Sequence, residues 1–202
     1  MIITTVPIIL ASQSPRRVHL LKQIGLTFSV QPSTVIEEIN PAHSSEENVT
    51  RLSLHKAEDI AKRNEQGIVI GADTIVVIDG KVLGKPTSQQ NAREMLHTLS
   101  GRTHTVYTGF AMVDVKTKKS YIDSEKTDVI FRQLTNKEIE DYVATGSPMD
   151  KAGSYGIQDD FGAVFIEKIV GDYYTVVGFP LSKFYLAFTL FAHELGYLKG
   201  SV

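Results

Sequence analysis

A mixed α/β fold is predicted by three features of the sequence. Short apolar runs alternate with amphipathic segments along the whole chain, but without the strict strand–helix–strand rhythm of an all-parallel sheet. Two Ser/Thr-x-x-Glu capping boxes mark helix starts, and an Asp-Gly pair marks a hairpin. We therefore expect one domain over residues 1–202, with a mixed twisted sheet flanked by helices and a central cleft; two lobes around that cleft are an alternative description.

Each element is predicted from its periodicity and its end signals. In chain order the predictions are a strand at 6–11, a helix from Pro15 capped by Ser14, a helix at 44–64, strands on either side of an Asp79-Gly80 hairpin, a helix at 88–99, strands at 104–115 and 122–134, a helix at 135–146, a hairpin turning at Gly171-Asp172 and a helix at 181–196. The run GIVIGADTIVVI before Asp79 is predicted as two strand segments broken between Gly71 and Thr74.

Composition restricts the classes of protein to which the chain can belong. Of 202 residues, 42% are hydrophobic and 22% charged, which suits a globular domain with a substantial core. Because there is no Cys, we expect neither disulfides nor thiolate metal ligands. The start lacks a secretion signal and no apolar run approaches the roughly 20 residues that span a bilayer, so we expect a cytoplasmic protein without membrane contact. A formal net charge of -2 argues against a nucleic-acid polymer as partner.

The start of the first helix has the features of an anion site. A helix N-terminus presents unpaired backbone N–H groups, and this one carries Arg16 and Arg17 where Asp or Glu is usual. Because guanidinium groups match phosphate oxygens bidentately, the segment SQSPRR predicts a phosphate site. The alternative is that both arginines are solvated surface charges.

Two charged residues interrupt apolar patterns. Lys56 lies in the middle of the apolar stripe of the second helix, where a Lys either reaches an anion in a cleft or extends its charge to solvent. Asp73 lies in an otherwise apolar strand, where a carboxylate is paired, binds a metal, or caps a turn between two short strands.

Three further residues are weaker candidates. Glu37 and Glu38 offer the oxygen ligands that Mg²⁺ or Mn²⁺ uses beside phosphates, and Lys85 follows a hairpin; all three are ordinary surface charges in the alternative interpretation. The sequence has no metal-binding His spacing, no nucleophile elbow and neither of the two commonest phosphate-binding loops. Cations and carboxylates without a nucleophile favour metal-assisted attack of water on a phosphate chain.

Nearly the whole chain resembles the Maf family of nucleoside triphosphate pyrophosphatases, which are related in fold to the inosine triphosphate pyrophosphatases. The resemblance is carried, in order, by the segments LASQSPRR, IEE, RLSLHKAEDIA, IGADTIVV, LGKP, MLHTLSGRTHTVYTG, DKAGSYGIQ and VVGFPL. It implies a homodimeric cytoplasmic hydrolase that uses a divalent cation, Mg²⁺ or Mn²⁺, to cleave a nucleoside triphosphate between the α and β phosphates. One departure is Gln13, where many members carry a small residue.

The resemblance also implies roles for individual residues. Asp73 would bind the metal together with Glu38 and would also activate the attacking water. The residues that would hold the triphosphate are Ser12, Arg16, Arg17, Lys56 and Lys85.

Substrate choice is implied by three positions that resemble the subgroup acting on dTTP and UTP, namely Arg17, Thr74 and Gln158. Gln158 offers both a donor and an acceptor to the O4 and N3–H edge of thymine or uracil. We therefore expect house-cleaning hydrolysis of dTTP, UTP and modified pyrimidine triphosphates. The alternatives are an N7-methyl-GTP pyrophosphatase and a nucleotide-binding regulator of septum formation with little turnover. Single-stranded nucleic-acid binding would need a basic groove with interleaved aromatic residues, which the sequence lacks.

Overall fold

The computed structural model describes residues 4–158 and 161–198. The strands are β1 (Ile8–Leu10), β2 (Ser29–Val30), β3 (Ile68–Ile78), β4 (Lys81–Leu83), β5 (Thr103–Asp114), β6 (Ser120–Phe131) and β7 (Ile166–Val170). The α-helices are α1 (Pro15–Gln23), α2 (Ser45–Ala61), α3 (Gln89–Leu99), α4 (Asn136–Ala144), α5 (Tyr173–Val177) and α6 (Leu181–Glu194). Short 3₁₀ segments lie at Ser147–Asp150, Ala152–Ser154 and Phe161–Phe165.

Within the described residues, the seven strands form one mixed sheet. Its order is β2-β1-β3-β5-β6-β7, and β4 pairs with β3. β1 is parallel to β2 and β3, whereas β4 and β7 run antiparallel to β3 and β6. The prediction of a mixed α/β fold is confirmed. None of the helices in the described part of the chain is both long and apolar enough to cross a membrane.

The predicted helix starts are confirmed down to their hydrogen bonds. Ser14 and Ser44 are the N-caps of α1 and α2, and their side chains accept hydrogen bonds from the backbone N–H groups of Arg17 and Glu47. The Glu47 carboxylate accepts in return from the Ser44 N–H at 2.7 Å, which completes the capping box. The second predicted box opens α4.

Two predictions about local structure are wrong. The strand break between Gly71 and Thr74 does not exist, because β3 is continuous. The segment after Gly171 is not the second strand of a hairpin but the short helix α5. The cause is the carboxylate of Asp172, which accepts from the N–H and the hydroxyl of Thr175 at 2.6 and 2.7 Å and so caps a helical turn. In addition, α2 ends at Ala61, slightly before the predicted position.

The chain divides into two compact units. Unit 1 comprises Met1–Asp73, Thr108–Glu125 and Gly178–Val202, and unit 2 comprises Thr74–Tyr107 and Lys126–Val177. The core of unit 1 includes residues of α2 packed on the sheet, and it contains Ile9, Ala57, Ile60, Val69 and Ala111. The core of unit 2 joins α3 and α4 to β6 through residues such as Leu96, Leu99, Val129, Phe131 and Ile139.

One buried polar pair belongs to the core of unit 2. His104 lies against the Tyr155 hydroxyl, with 2.7 Å between Nε2 and the oxygen, and against the ring of Phe131. Burial lowers the pKa of His104 to about 4, so the imidazole is neutral at pH 7. His104 is therefore a structural residue of this core.

Two glycines allow α2 to lie close to the strands of unit 1. A Cβ on Gly71 in β3 would collide with the backbone carbonyl of Ser53, and one on Gly109 in β5 would lie 2.6 Å from the carbonyl oxygen of Val49. Both carbonyls belong to α2, so a side chain at either position would displace the helix. The close approach also explains why Gly71 does not interrupt β3: its missing side chain is a packing requirement and not a turn signal.

Gly71→Ala should therefore lower the free energy of unfolding by about 1–3 kcal/mol, the usual cost of overpacking a core. Urea unfolding measures the change. Gly84→Ala is the matched control, because its Cβ would meet nothing within 4 Å. Equal stability of the two variants would contradict the close approach of α2 and β3.

Candidate active site

The N-terminus of α1 and the turn before it place several polar groups together in unit 1. Ser12 is buried, and its hydroxyl accepts from the Ser14 N–H at 3.2 Å and from Arg17 Nη1 at 3.3 Å. Arg17 Nε also donates to the carbonyl of Gly178 at 3.0 Å. No acidic residue lies in the first turn of α1, so the positive end of the helix and the guanidinium of Arg16 reinforce each other. This arrangement suits an anion.

Lys56 is the centre of a buried ionic cluster in the same unit. Its Nζ lies 2.6 Å from Asp73 Oδ1 in β3 and 2.6 Å from Glu37 Oε1, and it donates to the Ala72 carbonyl at 3.4 Å. Lys56 and Asp73 are only 6% and 5% exposed, whereas the side chain of Glu37 is half-exposed. Lys56 therefore does not extend its charge to solvent, and Asp73 is paired rather than a turn cap.

Burial raises the pKa of Asp73 above its usual value, and Glu37 acts in the same direction. Lys56 and Arg17 oppose this change by favouring the carboxylate. Burial also lowers the pKa of Arg17, against the attraction of Asp73 and Glu37. Arg17 stays charged at neutral pH because a guanidinium is not deprotonated in proteins. Arg17, Lys56, Asp73 and Glu37 thus form one electrostatically coupled group.

The two glutamates of the IEE segment differ in their surroundings. The carboxylate of Glu37 contacts Lys56. The side chain of Glu38 is exposed, and its backbone carbonyl accepts from Arg51 Nη2 at 2.6 Å. The carboxylate paired with the Lys56–Asp73 cluster is therefore that of Glu37.

The remaining candidates belong to unit 2. Thr74 follows Asp73 in β3, and its side chain lies on the opposite face of the strand. Lys85 is exposed in the turn after β4, where the Gly84 carbonyl accepts from the N–H of Gly153 at 3.1 Å. Gln158 is partly buried, and its side-chain carbonyl oxygen is buried without a hydrogen-bond partner.

Asp73 and the carboxylates near it could supply only some of the ligands that a divalent cation needs. Among the described residues, no group of three or more His, Cys, Asp or Glu side chains is arranged to hold a metal. Mg²⁺, however, is commonly bound by one or two carboxylates together with substrate phosphates and water. The carboxylate of Asp73, with Glu37 and Glu38 in the adjacent loop, meets that lower requirement.

Sequence reasoning assigned no role to Arg51 or to the carbonyl of Gly178. Arg51 lies within the RLSLHKAEDIA segment of α2, but its contact with the Glu38 carbonyl depends on the path of the intervening loop. The carbonyl of Gly178 lies 161 positions from Arg17 in the chain. No local pattern in the sequence reveals such a distant backbone contact.

A family model described as Maf-like protein matches residues 7–190. The chain belongs to the Maf family. This Maf chain is 51% identical over 176 residues to a dTTP/UTP pyrophosphatase of Bacillus pumilus, covering 87% of the chain and 92% of the relative. It is 52% identical over 176 residues to a dTTP/UTP pyrophosphatase of Thermotoga maritima, a match that covers 86% of the chain and 84% of the relative. The match to a solved dITP/XTP pyrophosphatase from Mycobacterium abscessus covers 94% of the Maf chain and 96% of the solved chain. Its sequence identity of 15% and TM-score of 0.43 are too low to support a functional argument.

Lys56→Met should lower the free energy of unfolding by about 3–5 kcal/mol, because it leaves a buried carboxylate without its ammonium partner. Adding Asp73→Asn removes the unpaired charge, so the double variant should be more stable than Lys56→Met alone. Urea unfolding of the wild type, both single variants and the double variant gives the coupling energy. Strictly additive losses would show that the Lys56–Asp73 contact does not contribute to stability.

Proposed function

We propose that the chain hydrolyses nucleoside triphosphates, chiefly dTTP, UTP and modified pyrimidine triphosphates, to the monophosphate and pyrophosphate. The observation that supports the proposal most strongly is the Lys56–Asp73 pair, a buried base and cation beside the anion site of α1. Membership of the Maf family and the names of its relatives support the same reaction. Such a hydrolase would remove unwanted nucleotides before polymerases use them.

The negative charge of the triphosphate would be held by groups that are already oriented. Cations that need no rearrangement during the reaction stabilise developing charge better than mobile ones. Arg17 is held by the Ser12 hydroxyl and the Gly178 carbonyl, and Lys56 is held by Asp73. We assign the binding of the triphosphate to Ser12, Arg16, Arg17, Lys56 and Lys85.

Asp73 would act as the general base. Lys56 donates to its Oδ1, so Oδ2 is the oxygen that would accept the proton of the attacking water. A pKa raised by burial makes the carboxylate a better base than an exposed Asp while its charge is preserved by Lys56 and Arg17. After cleavage the same carboxyl would return the proton to solvent.

A divalent cation, Mg²⁺ or Mn²⁺, would be held by Asp73 and Glu38, with Glu37 as the nearer carboxylate in the ligand-free protein. When bound, such a cation neutralises phosphate charge and lowers the pKa of a bound water. This ligand set agrees with the oxygen ligands that both cations prefer.

Gln158 would read the base. Its unpartnered carbonyl oxygen suits the N3–H of thymine or uracil, and its amide N–H suits O4. Arg17 and Thr74 are the other two positions that we assign to pyrimidine preference. A cytoplasmic location and a homodimer remain predictions from the family resemblance.

The decisive experiment is product analysis by ion-exchange chromatography. Purified protein is incubated with dTTP, UTP, CTP, GTP or N7-methyl-GTP, with Mg²⁺ or Mn²⁺ and with chelator. We expect monophosphate and pyrophosphate chiefly from dTTP and UTP, and only with metal. Triphosphate binding without turnover would instead favour the regulator. Preferred cleavage of N7-methyl-GTP would contradict the pyrimidine assignment.

Asp73→Asn should reduce turnover by on the order of 10²-fold or more, because it removes the general base without changing the size of the side chain. Steady-state release of pyrophosphate from dTTP measures the loss. Asp79→Asn is the matched control, since Asp79 is an exposed carboxylate at the end of the same strand and pairs with Arg102. Turnover that survives Asp73→Asn would remove Asp73 from the mechanism.

Gln158→Glu should reduce the preference for dTTP over GTP by on the order of 10-fold, because a carboxylate lacks the N–H that would face O4. The measurement is the ratio of kcat/KM for the two substrates. Gln89→Glu, an exposed change of the same kind at the start of α3, serves as the control. If the ratio is the same in both variants, Gln158 does not read the base.

A further inference from the structure

The segment between β2 and α2 is attached to α2 by hydrogen bonds. Residues 33–40, which we call the carboxylate loop, run antiparallel to α2: the start of the loop contacts the C-terminal part of the helix, and the end of the loop contacts its first turn. Glu37 and Glu38 lie between these two attachments. The loop therefore carries both glutamates past α2, the helix that also carries Lys56.

Both ends of the carboxylate loop are held by buried or charge-assisted hydrogen bonds. At the start, the carboxylate of Asp59 accepts from the Ser33 hydroxyl at 2.8 Å and from the Thr34 N–H at 3.2 Å. At the end, the buried side chain of Asn48 accepts from the Asn40 N–H at 2.8 Å and donates to the Asn40 carbonyl at 3.0 Å. These contacts fix where the loop begins and ends.

Ile36, in the middle of the loop, is not an apolar anchor. Ile36 is 77% exposed, so it contributes little burial that would hold the glutamates in place. The backbone hydrogen bond at this point comes from Arg51, whose Nη2 donates to the carbonyl of Glu38 at 2.6 Å. A charge-assisted hydrogen bond of this length is a strong constraint on a single peptide unit.

Arg51 makes this contact at a cost to its own hydrogen bonding. Its Nε is buried without an acceptor, and the contact of Nη2 with Asn48 Oδ1, at 3.5 Å, is long. A buried donor without a partner is unfavourable. The guanidinium is thus placed where Nη2 reaches the Glu38 carbonyl, although its Nε is left without an acceptor. Such a departure from good local bonding is typical of residues that serve a site.

We propose that Arg51 is a positioning residue, which holds the carbonyl of Glu38 and so fixes the part of the loop that carries Glu38 and Glu37, the carboxylate paired with Lys56. This inference rests on the proposed function, because it assigns Arg51 to the metal-binding side of that site. Arg51 touches neither substrate nor metal in this assignment. Loss of its guanidinium should loosen the middle of the loop while both ends stay attached.

The first test is hydrogen–deuterium exchange of the ligand-free protein, which needs no activity. Arg51→Met should speed exchange in residues 33–40 by on the order of 10-fold, while exchange in α2 stays at the wild-type rate. Arg93→Met is the matched control, because it removes the same charge from an exposed pair with Glu140. Equal exchange in the two variants would overturn the proposal.

The second test is the Mg²⁺ dependence of pyrophosphate release from dTTP. We expect Arg51→Met to raise the half-saturating Mg²⁺ concentration by on the order of 10-fold. A loss of this size is typical when a residue that orients a metal ligand is removed. The KM for dTTP at saturating Mg²⁺ should change by less than about twofold. Arg51→Lys, which keeps one charged donor, should restore part of the Mg²⁺ affinity.

The two tests distinguish failure of this inference from failure of the proposed function. Absence of pyrophosphate release by the wild type would reject the function, while the exchange experiment would still decide whether Arg51 holds the loop. Faster exchange with an unchanged Mg²⁺ requirement would show that Arg51 supports the loop only structurally, which overturns its role in positioning. If Arg51→Met does not fold, the same comparisons are made with Arg51→Lys, for which smaller changes in the same direction are expected.

Discussion

The pairing of a buried ammonium with a buried carboxylate is the interaction on which the candidate site depends. Lys56 and Asp73 are each too costly to bury alone, and each is tolerated because the other lies 2.6 Å away. The pair joins α2 to β3, and it can form only if the helix lies close to the strand. Gly71 provides that closeness, since any side chain there would meet the backbone of α2. Close packing therefore requires Gly71, and charge pairing requires Asp73, two positions further along the same strand.

The charges around this pair balance one another, and they lie in the same unit as the positive end of α1. Asp73 and Glu37 balance the charges of Arg17 and Lys56, while the first turn of α1 contributes partial positive charge and has no acidic residue. Arg17 is oriented by Ser12 and Gly178, and Lys56 is oriented by Asp73, so the fold holds both cations in place.

The sequence predicted those features that depend on local chemistry. The caps at Ser14 and Ser44 were predictable because capping bonds join residues three apart, and the anomalous Lys56 and Asp73 were predictable because each interrupts an apolar period. The continuity of β3 was not predictable, because a Gly such as Gly71 can indicate either a turn or the close approach of a helix. Only tertiary packing decides between the two. The contact of Arg51 with the Glu38 carbonyl was equally inaccessible, since it depends on the path of the loop.

Unsatisfied polar atoms are informative about function only when their neighbours are considered. Among the described residues, buried side-chain atoms without a partner occur in Arg51, His104, Asp114 and Gln158. His104 and Asp114 each bond firmly through their other polar atom, to Tyr155 and to Thr117, and so remain parts of a core and a turn. The bonded atom of Arg51 is Nη2, which donates to a carbonyl of the loop that bears Glu37 and Glu38.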